Sequence, residues 1–403
     1  MSPEKPTAIR PQGWMREKSS RAVLAALAGP KDSGARFVGG AVRDAILKRP
    51  VTDIDIATPL HPNEVTRRLE AAGIKVVPTG IDHGTVTAIT ATRAFEITTL
   101  RRDVATDGRH AKVDFTEDWA ADAKRRDFTM NALFLDGGGT LYDYVGGLKD
   151  AKAGRVRFVG DPATRIAEDV LRLPRFYRFI AHYGRVAPDA EARAACRQAA
   201  PLLPGLSAER VAAELLKLLK ARNPLPALIL MQKDGVLKVL LPEAKSLDAL
   251  RRLIKLEPAP DPIRRLAALI GRDGECVATR LKLSHRQREG LAGLTAPPDF
   301  KGSRAAQRAL LYRLGSGLYR DSVLIAASRG KLAAHKALLG LAKAWKPVVF
   351  PLKGRDLAAA GMAPGPELGK LLAELEAWWI AGDFRASRKA CLAEMTRRMD
   401  MGK

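Results

Sequence analysis

VGGAVRDAILKRPVTDIDIAT, residues 38–58, is the stretch whose reading decides the fold. Its second half, TDIDIAT, is a short β-branched run and reads as a strand. Side chains two apart on a strand point to one face, so Asp53 and Asp55 share a face. Two carboxylates placed this way offer hard oxygen ligands to a divalent cation such as magnesium. In the first half, Gly39 and Gly40 open a helix. The bare N–H groups and positive dipole at such a start suit a phosphate chain, and Arg43, one turn in, adds a full charge. A triphosphate grip beside a metal-holding strand is what two-metal nucleotidyl transfer requires. One ion activates the attacking hydroxyl and the other neutralises the leaving pyrophosphate. Alone, an Asp-x-Asp pair also reads as a solvated turn or as the metal site of a nucleotide-sugar transferase. The glycine–arginine stretch at this distance favours the nucleotidyl-transfer reading.

Working outward, the first 150 or so residues carry the β signal. RFVGG (36–40) is a short strand, GTVTAITATRAFEITTL (84–100) reads as two paired strands with a turn near Ala94, and LFLDGGGTLYDYVGG (133–147) as a hairpin turning at glycines 137–139. HPNEVTRRLEAAG (61–73) reads as a helix capped by Pro62 and Asn63 and ended by Gly73. From about Asp161 the pattern turns helical: EDVLRLPRFYRFIAHYG (168–184) is expected as one helix, followed by helices over 189–203, 208–221 and 224–241. EPAPDP (257–262) and TAPPDFKG (295–302) read as linkers. PLKGRDLAAAGMAPGPELGKLL (351–372) reads as helix, glycine-rich turn, helix.

Two further motifs follow the opening stretch in order: RRDFTMNAL (125–133) and EDVLR (168–172). Together the three resemble the class II tRNA nucleotidyltransferase and bacterial poly(A) polymerase family, within the polymerase-β superfamily. The resemblance is dense over about residues 36–185; beyond that only the helical character and the 350–372 stretch share it. It implies an α+β fold in which a nucleotidyltransferase head with a mixed sheet (1–150) is followed by an all-helical neck that recognises the base (151–222), body (223–300) and tRNA-binding tail (301–403). It implies that Gly39, Gly40 and Arg43 meet the incoming triphosphate and that Asp53 and Asp55 hold two magnesium ions. Arg126 and Asp127 then bind sugar and phosphates and brace the site, with Asn131 in support. Glu96, on an adjacent strand, is a candidate third carboxylate; a strand-surface glutamate reads the same way.

EDVLR carries its own physical argument. On a helix, Asp169 and Arg172 share a face and pair a carboxylate acceptor with a two-pronged donor. Cytosine and adenine each present an amino donor beside a ring acceptor and fit that pair. Uracil and guanine set like against like, at about 1–3 kcal/mol for each buried mismatch. Protein side chains thus act as the template, with Glu168 orienting the arginine. The plainer reading is an i,i+3 salt bridge on a helix surface. Arg175 and Arg178 continue the face and match family arginines that reach the nucleotide. Pro174, where the family has an aliphatic residue, is expected to kink this helix.

The family divides by product. The region before RRDFT holds a flexible loop that lets the pocket switch from C to A, and here it is intact over about 101–117, polar, with Gly108. The segment resembles full CCA-adding enzymes, so CTP, ATP and tRNA are the expected partners; a poly(A) polymerase is the alternative.

Composition agrees with a nucleic-acid partner. The 403 residues hold 68 Lys and Arg against 44 Asp and Glu, a net charge of +24, with 46% hydrophobic and 28% charged residues. A surplus of this size suits a polyanion, through counterion release. Arg210 to Lys220, Arg251 to Lys255 and Lys331 to Lys343 read singly as solvated helix faces and collectively as a surface for a tRNA backbone. Gly361, Gly365 and Gly369 present N–H groups to an RNA phosphate or simply make a turn. Cys196, Cys276 and Cys391 lie far apart, as thiols do in a reducing compartment. The six histidines form no metal-ligand spacing. No membrane span and no stable protein partner are expected. The N-terminal stretch lacks an apolar signal core. It is basic enough to leave a mitochondrial presequence open, against which Pro3, Glu4, Pro6 and Pro11 argue; the cytoplasm is the expected location.

Overall fold

The computed structural model describes residues 7–29, 34–106, 111–330 and 332–401. Pro3, Glu4, Pro6, Gly108 and Lys331 lie outside the described residues. The chain divides into two compact units, Met1–Pro242 and Glu243–Lys403.

Ten strands belong to the first unit: β1 (Thr7–Ala8), β2 (Arg36–Val38), β3 (Ile54–Thr58), β4 (Lys75–Gly80), β5 (Thr85–Ile89), β6 (Ala94–Thr99), β7 (Arg101–Thr106), β8 (Ala111–Phe115), β9 (Leu133–Leu135) and β10 (Thr140–Asp143). Eight of them form one mixed sheet in the order β1-β10-β9-β2-β3-β6-β5-β4. Among the described residues its only parallel pair is β3 with β6, at the centre. The period of two sorts β3: Ile54 and Ile56 join one core with Phe37, Phe95 and Ile97, while Ala57 joins Val38, Leu100 and Phe134 on the other face. Helices Lys18–Ala26, Gly40–Ile46 and Pro62–Ala71 cover the first face with Val23, Val42, Val65 and Leu69. Each such buried side chain contributes about 1.5–3 kcal/mol relative to exposure. Asp55 therefore projects from the second face of a strand clamped from both sides.

Both hairpins form, with local adjustments. The β5–β6 turn is closed by Thr90 N–H to the Arg93 carbonyl at 3.0 Å, so Ala94 opens β6 rather than the turn. The helix beginning at Pro62 is preceded by His61 as its cap, with the proline in the first helical position, where its missing N–H costs nothing. Within 101–117, β7 and β8 pair antiparallel as a ribbon, with Arg101 opposite Phe115 and Arg102 opposite Asp114.

The helical part of the first unit corrects one expectation. Residues 168–184 are not one helix. Pro162–Glu168 ends, Asp169 adopts an extended backbone (φ −151°, ψ 103°), and a second helix runs Arg172–Tyr183. Asp169 makes the break itself: its Oδ1 accepts the Leu171 N–H at 3.1 Å, and an aspartate side chain that bonds nearby backbone competes with helix continuation. Pro174 is consequently the third residue of the second helix rather than an interior one. The first turn has no intrahelical acceptor for its N–H groups, so no kink follows.

The second unit is all helical among its described residues, from Asp248–Leu256 to Arg388–Met401. The segment 257–262 is pinned rather than a loose linker. Glu257 is buried and accepts from Arg264 at 2.8 Å and Arg265 at 2.6 Å. The 351–372 stretch forms helices Gly354–Ala359 and Pro366–Ala381, with Gly361 at φ 92° in the turn. Among the described residues no helix is long and apolar enough to cross a membrane. Cys196 and Cys391 are buried, Cys276 is exposed, and all three are free thiols.

Candidate nucleotide and metal site

The site is assembled on the second face of the sheet at β3. Asp55 pairs in register with Val38 on β2 and with Glu96 on β6. Asp53 stands one residue before β3, exposed. Burial lifts the Asp55 carboxyl to about 6, with Glu96 and Asp53 repelling it further and only Arg126 opposing. This clustering of like charges, with hard oxygen donors, fits a divalent cation. Among the described residues no group of three or more His, Cys, Asp or Glu is arranged to hold a metal. Glu96 stands beside the aspartates, in register with Asp55.

Gly39 closes the site from above. Its backbone (φ 68°, ψ −124°) precedes the helix Gly40–Ile46 in a region that L side chains avoid. A methyl group there would lie 3.9 Å from Asp55 Oδ2 and 3.8 Å from Arg126 Nη1. The glycine-led helix start, the Asp55 carboxylate and the Arg126 guanidinium therefore converge within one small volume. Arg126 reaches it from behind the helix Trp119–Lys124, clamped through Nε and Nη2 by Asp122 at 3.1 and 2.8 Å. Burial works to raise the Asp122 carboxyl, but Arg126 and Arg125 hold it below the usual range. The sequence reading missed Asp122; its i,i+4 spacing from Arg126 was the available signal.

Arg43 is not a bare charge. It is buried, binds Asp44 at 2.8 Å, donates to Asn131 Oδ1 at 2.5 Å and lies 4.2 Å from the Tyr183 ring centroid. Asn131 continues the chain by donating to Asp127 Oδ1 at 2.9 Å. Asp127 in turn accepts from Arg175 at 3.0 and 2.5 Å. Burial pushes its carboxyl up, yet Arg175, Asn131 and the Phe128 N–H hold it below the ordinary range. Arg178 donates to Glu214 at 2.5 Å, and Arg175 lies 3.8 Å from the same carboxylate. A continuous polar chain thus runs from the glycine-led helix through Asn131 and Asp127 to the helix Arg172–Tyr183. Asp44 and Glu214 are members that the sequence reading did not find; Glu214 lies 36 residues from Arg178, beyond any local pattern.

EDVLR is arranged differently from the expected single helical face. Arg172 donates to Glu168, to the Arg165 carbonyl at 2.9 Å and to the Arg125 carbonyl at 3.2 Å. Asp169 instead binds Arg210 at 3.0 Å. Glu168 holds the arginine, and the bond to Arg125 sets Arg172 one residue from the guanidinium that faces Asp55. The i,i+3 salt bridge between Asp169 and Arg172 is replaced by two separate pairings, because the helix break turns the two side chains toward different neighbours.

Comparisons with known proteins agree with this architecture. The family described as "Poly A polymerase head domain" matches residues 35–157, and that described as "Probable RNA and SrmB- binding site of polymerase A" matches residues 186–247. The chain is 35% identical to the mitochondrial CCA tRNA nucleotidyltransferase 1 of Danio rerio, covering 90% of this chain and 87% of that one. It is 32% identical to the CCA-adding enzyme of Levilactobacillus brevis, covering 90% and 93%. Its fold matches the crystal structure of the Bacillus stearothermophilus CCA-adding enzyme in complex with CTP, with a TM-score of 0.72, 25% identity and coverage of 96% and 98%.

Proposed function

Because the chain belongs to the family of CCA-adding tRNA nucleotidyltransferases, we propose that it adds C, C and A to the 3′ end of tRNA from CTP and ATP, releasing pyrophosphate. The observation that carries this reading is the polar chain Arg43–Asn131–Asp127–Arg175. It ties the phosphate-facing helix start to the segment that bears the base-reading residues. A poly(A) polymerase is the rival reading.

Asp53 and Asp55 would hold two magnesium ions, which would supply activation of the tRNA 3′-hydroxyl and charge neutralisation at the pyrophosphate. The N–H groups after Gly39 and the guanidiniums of Arg43 and Arg126 take the triphosphate. Asp127 and Asn131 keep Arg43 and Arg175 in place, so the charges facing the nucleotide are oriented before it arrives. Asp169 supplies the acceptor and Arg172 the donor to the base edge. The base competes with Glu168 and two backbone carbonyls for Arg172, so only an edge that satisfies both groups repays the exchange. The tail over 301–403 carries the tRNA. Cytoplasmic location belongs to this reading, supported by the free thiols.

Incubating the full chain with tRNA lacking its CCA end tests it. With magnesium, CTP and ATP together should restore the three nucleotides, and CTP alone should add two. A poly(A) polymerase would ignore CTP and extend with ATP alone, overturning the assignment. Asp53→Ala should abolish incorporation of both nucleotides; undiminished incorporation would remove the metal site from these residues.

A further inference from the structure

Arg210 belongs to a helix, Ala208–Leu219, whose charged residues read in the sequence as solvated and RNA-facing. In the structure two charged residues on one face of this helix, Arg210 (exposed) and Glu214 (buried), are held in ion pairs. Arg210 and Glu214 are four residues apart and share a side of the helix. Arg210 Nη2 binds Asp169 Oδ2 at 3.0 Å. Glu214, buried, accepts from Arg178 at 2.5 Å and lies 3.8 Å from Arg175. The charges are matched crosswise, the helix cation to the acidic member of the base-reading segment and the helix acid to its basic members.

Arg210 is half exposed, and exposed ion pairs contribute little to stability. Its effect is on orientation. Asp169 sits in extended backbone between two helices, where its carboxylate can rotate. Leu171 N–H fixes Oδ1 and Arg210 fixes Oδ2, and two bonds to different oxygens set the plane of the group. A carboxylate retains lone pairs beyond these two, so the fixed plane still accepts from a base amino group.

We propose that Arg210 is a positioning residue for nucleotide selection, holding the Asp169 carboxylate in the plane that reads the amino group of cytosine and adenine. The inference rests on the assignment of Asp169 to the base edge. The experiment measures kcat/KM of the full chain for CTP, ATP, UTP and GTP on tRNA lacking its CCA end, for Arg210→Gln, Arg210→Lys and Asp169→Ala. Arg210→Gln should lower the preference for CTP and ATP over UTP and GTP by about tenfold, the order expected when one polar contact loses its geometry. Arg210→Lys, which keeps the cation, should recover most of it, a rescue that a purely structural role does not predict. If Asp169→Ala relaxes selectivity while Arg210→Gln retains it in full, Arg210 has no such role and the base-reading assignment stands. If Asp169→Ala retains selectivity, the assignment of Asp169 falls and the positioning role with it.

Discussion

Burial, the Glu96 carboxylate and the Asp53 carboxylate all lift the Asp55 carboxyl, to about 6, against the single opposing charge of Arg126. Stability follows from the sign of that shift. The folded protein without metal binds the Asp55 proton more tightly than the unfolded chain does. Between about pH 4 and 6 the unfolded state has released a proton that the folded state retains, so stability falls as pH rises through this window. Asp55→Asn removes the loss. The metal-free variant should be more stable than the parent above pH 6, by on the order of 1–3 kcal/mol, and should show no such gain below pH 4. Thermal unfolding in chelator at pH 4 and pH 8 measures this, and nucleotide incorporation by the variant should be lost. Equal midpoints at pH 8 would mean that Asp55 carries no excess negative charge around it. At this scale the carboxylate pair and the glycine-led helix start were legible, because period-two spacing and helix-start chemistry are local. Asp122 and Glu214 were not singled out. One left a single i,i+4 spacing as its trace, and the other meets its partners only after two helices pack.

At the level of elements, the break at residues 169–171 governs how the EDVLR segment is built. Apolar periodicity over 168–184 predicted an unbroken helix because the pattern keeps its phase across the break. The competing signal was Asp169, whose side chain captures the Leu171 N–H, so that a new helix starts at Arg172, two residues before the proline. Pro174 then falls in the first turn, and Arg175 and Arg178 are held by Asp127 and Glu214 rather than by an aligned helix axis. Two substitutions separate the readings. Pro174→Ala should cost about 1–2 kcal/mol through lost ring packing and a freer unfolded chain, with nucleotide selectivity retained. Ala181→Pro, in the body of the same helix, should cost about 3 kcal/mol by removing an N–H and crowding the carbonyl four residues back. Denaturant unfolding checks the ratio. A Pro174→Ala variant that loses selectivity would show that the proline itself sets the arginines. Within 101–117, where the polar composition reads as a loop, β7 and β8 pair as an antiparallel ribbon.

For the whole molecule, charge distinguishes the two units. Glu243–Lys403 carries 30 of the 68 Lys and Arg and 16 of the 44 Asp and Glu, a surplus of 14 in 161 residues. Met1–Pro242 carries a surplus of 10 in 242 residues, and many of its arginines are spent on internal carboxylates, as Arg43, Arg126, Arg175 and Arg178 are. The second unit is therefore about twice as positive per residue and is the better electrostatic surface for an RNA backbone. On its helix His335–Ala344, Lys336 and Lys343 are both exposed and lie seven residues apart, on one face. If each neutralises one phosphate, replacing both by alanine should flatten the dependence of log KM for tRNA on log salt by about 2. The KM for CTP should not move, since the site at β3 draws its cations from the first unit. Steady-state kinetics from about 50 to 200 mM salt reads both quantities. A tRNA slope unchanged in the double variant would remove this helix face from the RNA path, and a parallel rise in the KM for CTP would mean that the substitutions act on the nucleotide site instead.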